Sequence, residues 1–186
     1  GRPAACACFA FAAEPDAQNP IAMTWDRRGR LWIAENYTYA EAPKIFDFGL
    51  RDRVLIFEDK DGDGAFDSRT VFLDNGHNLT GIALGFGGVY LCSTPNFIFV
   101  PDKNRDDKPD GEPVVLLDGF EDDKVQHNVF NGLTWGLDQW IYGANGRSDG
   151  NLRLCDIHGE PYGEALPMRE RKRELRVPTA RRQGQR

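Results

Sequence analysis

Long apolar runs are missing from this chain. No stretch approaches the roughly 18 residues that a membrane-crossing helix needs. Cysteine is scarce: there are four, Cys6, Cys8, Cys92 and Cys155. No pair has zinc spacing and no C-x-x-C-H motif occurs, so neither a cysteine zinc site nor attached haem is expected in this chain. Cys6 and Cys8 are a poor geometric match for bonding each other, and Cys92 lies in an apolar stretch that reads as core. Cysteine usage therefore leaves the compartment open. No long helical periodicity precedes the C-terminal region. Excess positive charge is also missing from the body. The net charge is −6, although residues 168–186 hold eight Lys/Arg against two Glu. An acidic body argues against nucleic acid as a partner and suits cation binding. The basic end reads as a solvated segment, or as a contact for an anionic surface.

What the chain does hold is turn-formers and short apolar strands. Its 186 residues are 40% apolar, with 20 Gly and 11 Pro, which suits a globular domain rich in β structure. Three segments repeat one pattern: Ile21–Glu35, Gly81–Ser93 and Gly132–Asn145. Each has a short apolar strand, a tight Gly/Asp turn and a second apolar strand bearing an aromatic. The aromatics Trp32, Tyr90 and Tyr142 recur at intervals of 58 and 52 residues, which matches one four-stranded propeller blade. The pieces between them also repeat. Arg53–Glu58 leads through an acidic loop to Thr70–Asp74, and Asn96–Val100 leads through another to Pro113–Asp118. The expected fold is all-β: a partial β-propeller over residues 9–152, about three four-stranded blades of a six-bladed or larger ring. An open antiparallel sandwich is the alternative. Residues 153–186 are expected to form an irregular, basic tail. Three blades do not close a ring, so further blades are expected from elsewhere. Residues 1–13 read as the end of an export signal or as a first strand.

The first acidic loop is the most specific chemical signal. Asp59, Asp61, Asp63 and Asp67 fall at loop positions 1, 3, 5 and 9, Gly64 falls at 6, and Ala65 can offer its carbonyl at 7. Alternate carboxylates around a glycine bend supply the hard oxygens that Ca2+ requires. Position 12 is Thr70, so the loop is a calcium-type hairpin turn and not an EF-hand. The second loop offers Asp102, Asn104, Asp106 and Asp110, 43 residues on. Asp107 replaces the glycine and Arg105 adds positive charge, so weaker binding is expected there. An ordinary acidic turn without metal is the competing reading of both.

Equivalent inner-strand ends name a candidate ligand site: Glu35, Asn36 and Tyr37, then Asn145 with Arg147, and Asn78 and Asn131 ahead of the hairpins. A carboxylate such as Glu35, at the end of an apolar strand, needs a partner, and Arg147 is the candidate. His127 is the candidate general base. A histidine bonded to loop backbone is the competing reading.

Four stretches together carry a family resemblance: Glu14–Pro20, Arg30–Tyr39, the Asp59–Asp67 loop and His127–Gly146. With them, residues 9–150 resemble a bacterial family of membrane-bound dehydrogenase propellers, whose members often append helical repeats and a haem-binding C-x-x-C-H module. More distantly, His127–Gly146 is similar to the segment bearing the catalytic histidine in soluble quinoprotein glucose dehydrogenases. That resemblance implies a six-bladed, calcium-binding propeller that oxidises sugars or alcohols with pyrroloquinoline quinone. His127 would take the substrate hydroxyl proton while hydride moves to the quinone. It also implies a periplasmic or other extracytoplasmic, membrane-associated protein, with the remaining blades and a cytochrome c module as partners. A non-catalytic propeller that binds carbohydrate or protein on its axial face is the alternative.

Overall fold

The computed structural model describes residues 10–39, 43–121, 129–146, 150–156, 158–168 and 174–177. They form thirteen strands and no helix. The first sheet is a meander of β1 (Pro20–Trp25), β2 (Leu31–Glu35), β3 (Asp52–Glu58) and β4 (Ser68–Gly76), paired antiparallel in chain order. The second begins as the same meander in β5 (Leu79–Leu84), β6 (Gly88–Ser93), β7 (Asn96–Pro101) and β8 (Val114–Phe120). The third hairpin is β9 (Asn131–Trp135) with β10 (Ile141–Ala144). All three repeats expected from the sequence are therefore hairpins, and both outer strand–loop–strand units are present.

The tail departs from expectation. Of the expected 153–186 tail, residues 153–156 and 158–168 are not irregular: β11 (Gly150–Cys155) pairs with β8, and β12 (Pro161–Met168) extends that sheet to six strands. β13 (Glu174–Val177) pairs with β10, so the third sheet has three strands. Residues 169–173 and 178–186 lie outside the described set. The physical reason is exposure. Residues 161–167 of β12 are all exposed, so no apolar alternation marks the strand. An edge strand also tolerates Pro161 and Pro167, which a central strand would not. Gly119 makes the β8–β11 junction possible: a Cβ there would lie 2.2 Å from the Asn151 carbonyl oxygen.

The central strands β2, β3, β6 and β7 are buried on both faces because they lie between packed layers. In β2, Leu31 and Ile33 face Ala17, Leu55, Phe57 and Phe11. Trp32 and Ala34 face the second sheet, with Val54 and Ile56 against Ile82, Leu91 and Val100. The opposite face of the second sheet carries Tyr90, Cys92, Phe97 and Phe99 against Phe130, Ile141 and Val177 of the third. Fully buried side chains such as Phe57, Tyr90 and Phe97 each contribute about 2–3 kcal/mol.

Three hairpin turns share one construction. Residues 26–30, 136–140 and 156–160 each close with an N–H to C=O bond from first residue to last and another from fourth to first. The fourth residue is left-handed: Gly29 (φ 77°), Gln139 (φ 65°) and Gly159 (φ 80°). In two of the turns an acid receives a hydrogen bond from the following aromatic strand. Trp32 Nε1 donates to Asp26 at 3.1 Å and the Tyr142 hydroxyl to Asp138 at 3.0 Å.

A Cβ at Gly29 meets nothing within 4 Å, so only backbone strain opposes a side chain there. Gly29→Ala is expected to lower stability by about 1 kcal/mol, and Gln139→Gly to raise it by up to about that amount. Urea midpoints of the two variants should move in opposite directions. A rise for Gly29→Ala would contradict this account of the turn.

Candidate functional site

The inner strands β1, β5 and β9 run beside one another across the three sheets. Between them opens a cavity of about 570 Å3. Its walls are Ile21 to Met23, Thr80 to Ile82 and Asn131 to Leu133 from the strands, closed by Asn36, Tyr39, Phe46, Asn78 and Val129. No Asp, Glu, Lys or Arg is among these residues.

Of the ligand residues named from sequence, Asn36, Asn78 and Asn131 meet here. The Asn36 amide is fully engaged: Nδ2 donates to the Leu79 carbonyl at 2.7 Å, and Oδ1 accepts from Tyr39 N at 2.7 Å. Thr80 Oγ1 donates to the Phe130 carbonyl at 2.5 Å. Asn78 is 1% exposed with a left-handed backbone (φ 43°). Its Oδ1 accepts a long 3.5 Å contact from Asn36, and its Nδ2 has no partner. Asn145 is buried beyond β10 and does not line the cavity. His127 and Arg147 lie outside the described residues.

Glu35 and Tyr37 belong to a different cluster. Glu35 is 0% exposed. Its carboxylate accepts from Gln18 N at 2.6 Å, the Tyr37 hydroxyl at 3.1 Å and Arg53 Nε at 2.9 Å. Arg53, a partner the sequence reading did not name, also donates to the Tyr37 hydroxyl and lies over its ring. Register explains this: Glu35 and Arg53 are direct cross-strand neighbours on β2 and β3. Burial, then the hydrogen bond to Glu35, raises the Tyr37 phenol above its usual range. The cluster is a satisfied structural ion pair that does not line the cavity.

Sequence reasoning missed Asp52, which is also 0% exposed. It accepts from Thr38 N and Thr38 Oγ1, both at 2.7 Å, and from Leu79 N at 2.7 Å. Tyr39 and Phe46 were missed as well. Both sit in residues 36–51, between β2 and β3, where the second sheet has only Thr94 and Pro95 between β6 and β7. That unmatched length was the available signal, since long connections tend to carry function.

The two acidic loops share a backbone. Asp67 N and Asp110 N donate to Glu58 and Pro101 carbonyls, both at 2.8 Å, and Lys60 N and Lys103 N donate to Asp67 and Asp110 at 2.6 and 2.5 Å. The left-handed positions also match: Gly62 with Arg105, and Gly64 with Asp107. In the first loop, carboxylate oxygens of Asp59, Asp61 and Asp67 lie within 4.8 Å of one another, so these three can hold a cation. The Asp63 carboxylate, which accepts from Ala65 N at 2.8 Å, is outside that group. In the second loop Asn104 and Asp106 each accept from the backbone N–H two residues on. Asp107 turns to Arg30, making a two-pronged contact at 2.6 and 2.8 Å. Arg30 also bonds Asp26 at 2.8 Å. Burial alone would raise the Asp26 carboxyl, but hydrogen bonds from Arg30 and Trp32 hold it below the usual carboxylate value.

These features define a repeat protein of stacked antiparallel sheets, with a cavity among its inner strands and acidic loops between outer ones. The chain belongs to the family described as a domain of unknown function, DUF7133, which matches residues 5–185. Compared with the curated proteins, the chain has no significant match.

Arg53→Ala leaves the Glu35 carboxylate buried without its cation. It is expected to cost about 3 kcal/mol, and Glu35→Gln in the same chain should recover part of that loss. Denaturant midpoints of the single and double variants check this. A double variant no more stable than Arg53→Ala would overturn it.

Proposed function

We propose that the three sheets are successive blades of a β-propeller, and that the cavity among β1, β5 and β9 is its small-molecule site. The observation that carries the reading is the cavity itself, walled by strands from equivalent places in the repeat. A central position between inner strands is where propellers hold ligands. The blade reading gains support from a pair of tryptophans. Trp25 and Trp135 precede the equivalent 26–30 and 136–140 turns. Trp135 is seated on the sheet before it: Nε1 donates to the Leu84 carbonyl at 2.9 Å, and its ring meets Phe86 and Tyr90 edge-on. Trp25 stands 57% exposed, in one row with Met23 at 70% and Ile21 at 50%. A preceding blade of the ring would cover that row.

Calcium belongs to the first loop in this proposal, held by Asp59, Asp61 and Asp67 and pinning the β3–β4 connection. Calcium is expected to raise the melting temperature, and Asp61→Ala to remove most of the rise, while Asn104→Ala leaves most of it. A melting curve indifferent to calcium and chelator would remove the metal from the proposal.

The described cavity walls do not fit pyrroloquinoline quinone. That cofactor carries three carboxylates, and no cationic side chain is among the described wall residues. The binding reading therefore leads. The dehydrogenase reading is second, favoured by the resemblance and by Val129, a cavity residue two positions after His127. In it, His127 accepts the hydroxyl proton of a sugar or alcohol. Thermal shifts with a panel of small neutral and ionic compounds test the site. A true ligand's shift should vanish in Asn131→Trp, which fills the cavity, while the calcium shift persists. Quinone-dependent dye reduction abolished by His127→Ala would reverse the order of the two readings.

A further inference from the structure

We propose that a second cavity, at the far ends of β1 and β5, takes a small aromatic oxyanion, a ring bearing a phosphate or a carboxylate, held by Arg28 and Arg105. It shares no wall residue with the cavity among β1, β5 and β9, so its ligand does not depend on what that cavity binds.

The space is about 460 Å3, within the range of small-molecule sites. It lies where the first two sheets meet. The 26–30 turn of the first sheet borders it on one side, and residues 84–89 and the second acidic loop border it on the other. Four arginines and three aspartates line it. Arg30 engages two of those acids, Asp26 and Asp107. Arg27, Arg28 and Arg105 are left against Asp102 alone. All three arginines are exposed, and none has a carboxylate partner among the described residues. Asp102 is buried, and its carboxylate accepts from Asp106 N within its own loop at 3.2 Å. A chain with a net charge of −6 thus gathers three unneutralised guanidiniums at one cavity. An Arg28 side-chain N–H donates to the Arg105 carbonyl at 3.3 Å, which brings one of these guanidiniums to the residue that carries another. A guanidinium has five N–H groups, so the rest of Arg28 remains to fork onto an oxyanion. An anion bound between like charges also relieves their repulsion.

Backbone strain singles out Arg105. Its counterpart in the first loop is Gly62, and both are left-handed, at φ 60° and 78°. Glycine takes that conformation freely, whereas arginine is strained by it. At the other replaced glycine, Asp107, the two-pronged contact with Arg30 offsets the strain. No ion pair does so at Arg105 among the described residues. Strain that no internal partner relieves points to a role outside the fold. The aromatic part of the ligand follows from Phe86. It is the first of two left-handed residues in the 85–88 turn, at φ 49°, where asparagine is the usual choice. Its ring lines the cavity, is 40% exposed, and is held edge-on by Trp135 at 5.4 Å. With Leu84 and Trp25 it gives the cavity an apolar side, against which a planar ring gains contact that a bare ion does not.

NMR titration of the whole chain tests the assignment through the tryptophan indole N–H signals, since Trp25 and Trp32 belong to this wall. The probes are phenyl phosphate, benzoate, inorganic phosphate and benzyl alcohol, all at one ionic strength. Phenyl phosphate or benzoate should shift these signals and bind roughly tenfold more tightly than benzyl alcohol or inorganic phosphate. The tighter of the two aromatic anions names the oxyanion. Arg105→Gly puts the first loop's residue at this position. It should weaken that binding roughly tenfold while leaving the melting temperature unchanged or raised, because it removes strain. Arg28→Ala, at an exposed turn, should weaken binding to a similar degree. Benzyl alcohol or inorganic phosphate binding as tightly as both aromatic anions, or no shift from either anion, would overturn the proposal. So would binding unchanged in both variants, or a melting temperature lowered by Arg105→Gly, which would show that the arginine serves the fold.

Discussion

One fully buried carboxylate holds the cavity end of the molecule together. Asp52 begins β3, yet its oxygens reach the chain after β2 at Thr38 and the first residue of β5 at Leu79. A charge taken out of water is tolerated only where hydrogen bonds replace its hydration. Its donors are therefore fixed in place, and they belong to both sheets. Asn36 and Asn78 flank these anchored residues, so the positions of two cavity amides follow from where Asp52 is satisfied. Glu35 does similar work one strand away, tying Gln18, Tyr37 and Arg53. The apolar layers set how the sheets stack, and Asp52 sets how their ends align.

Much of the sheet structure was legible because its signal is local. The hairpins around Trp32, Tyr90 and Tyr142 each combine an apolar strand pair with a tight turn between them. The acidic loops were legible because a ligand-like spacing also specifies the backbone that folds it. β12 was not legible, because an exposed edge strand has no buried face to write into the sequence. The pairing of β13 with β10 was hidden for another reason: which of two later strands takes an open edge depends on contacts far apart in the chain. Within the site, Asn36, Asn78 and Asn131 followed from repeat alignment. The partner of Glu35 did not, because Arg53 becomes its neighbour only through strand register. Asp52 looked like any charged residue in Arg-Asp-Arg, and only burial distinguishes it.

The acidic loops illustrate how one backbone can meet its charge requirement in two ways. Both place side-chain oxygens around the same turn, with left-handed residues at the same two positions. The first leaves three carboxylates close together and exposed or nearly so. The second has an amide at Asn104 and sends its extra acid, Asp107, to Arg30 on the neighbouring sheet. Arg30 itself is buried and doubly paired. The loop thereby becomes a brace between sheets. Repetition of sequence has been kept while the role of the repeat has changed.

The connection of residues 36–51 breaks the likeness between the sheets. Stacked equivalent units present nearly identical walls to whatever lies among them, and a ligand in such a space has several orientations of almost equal energy. A single unit that brings its own aromatic rings removes that degeneracy. Tyr39 and Phe46 mark one side of the cavity as different from the others, so the orientations open to a molecule there would no longer be equal in energy. Orientation is thus a property supplied by an insertion rather than by the repeat, and it can change without disturbing the architecture beneath it.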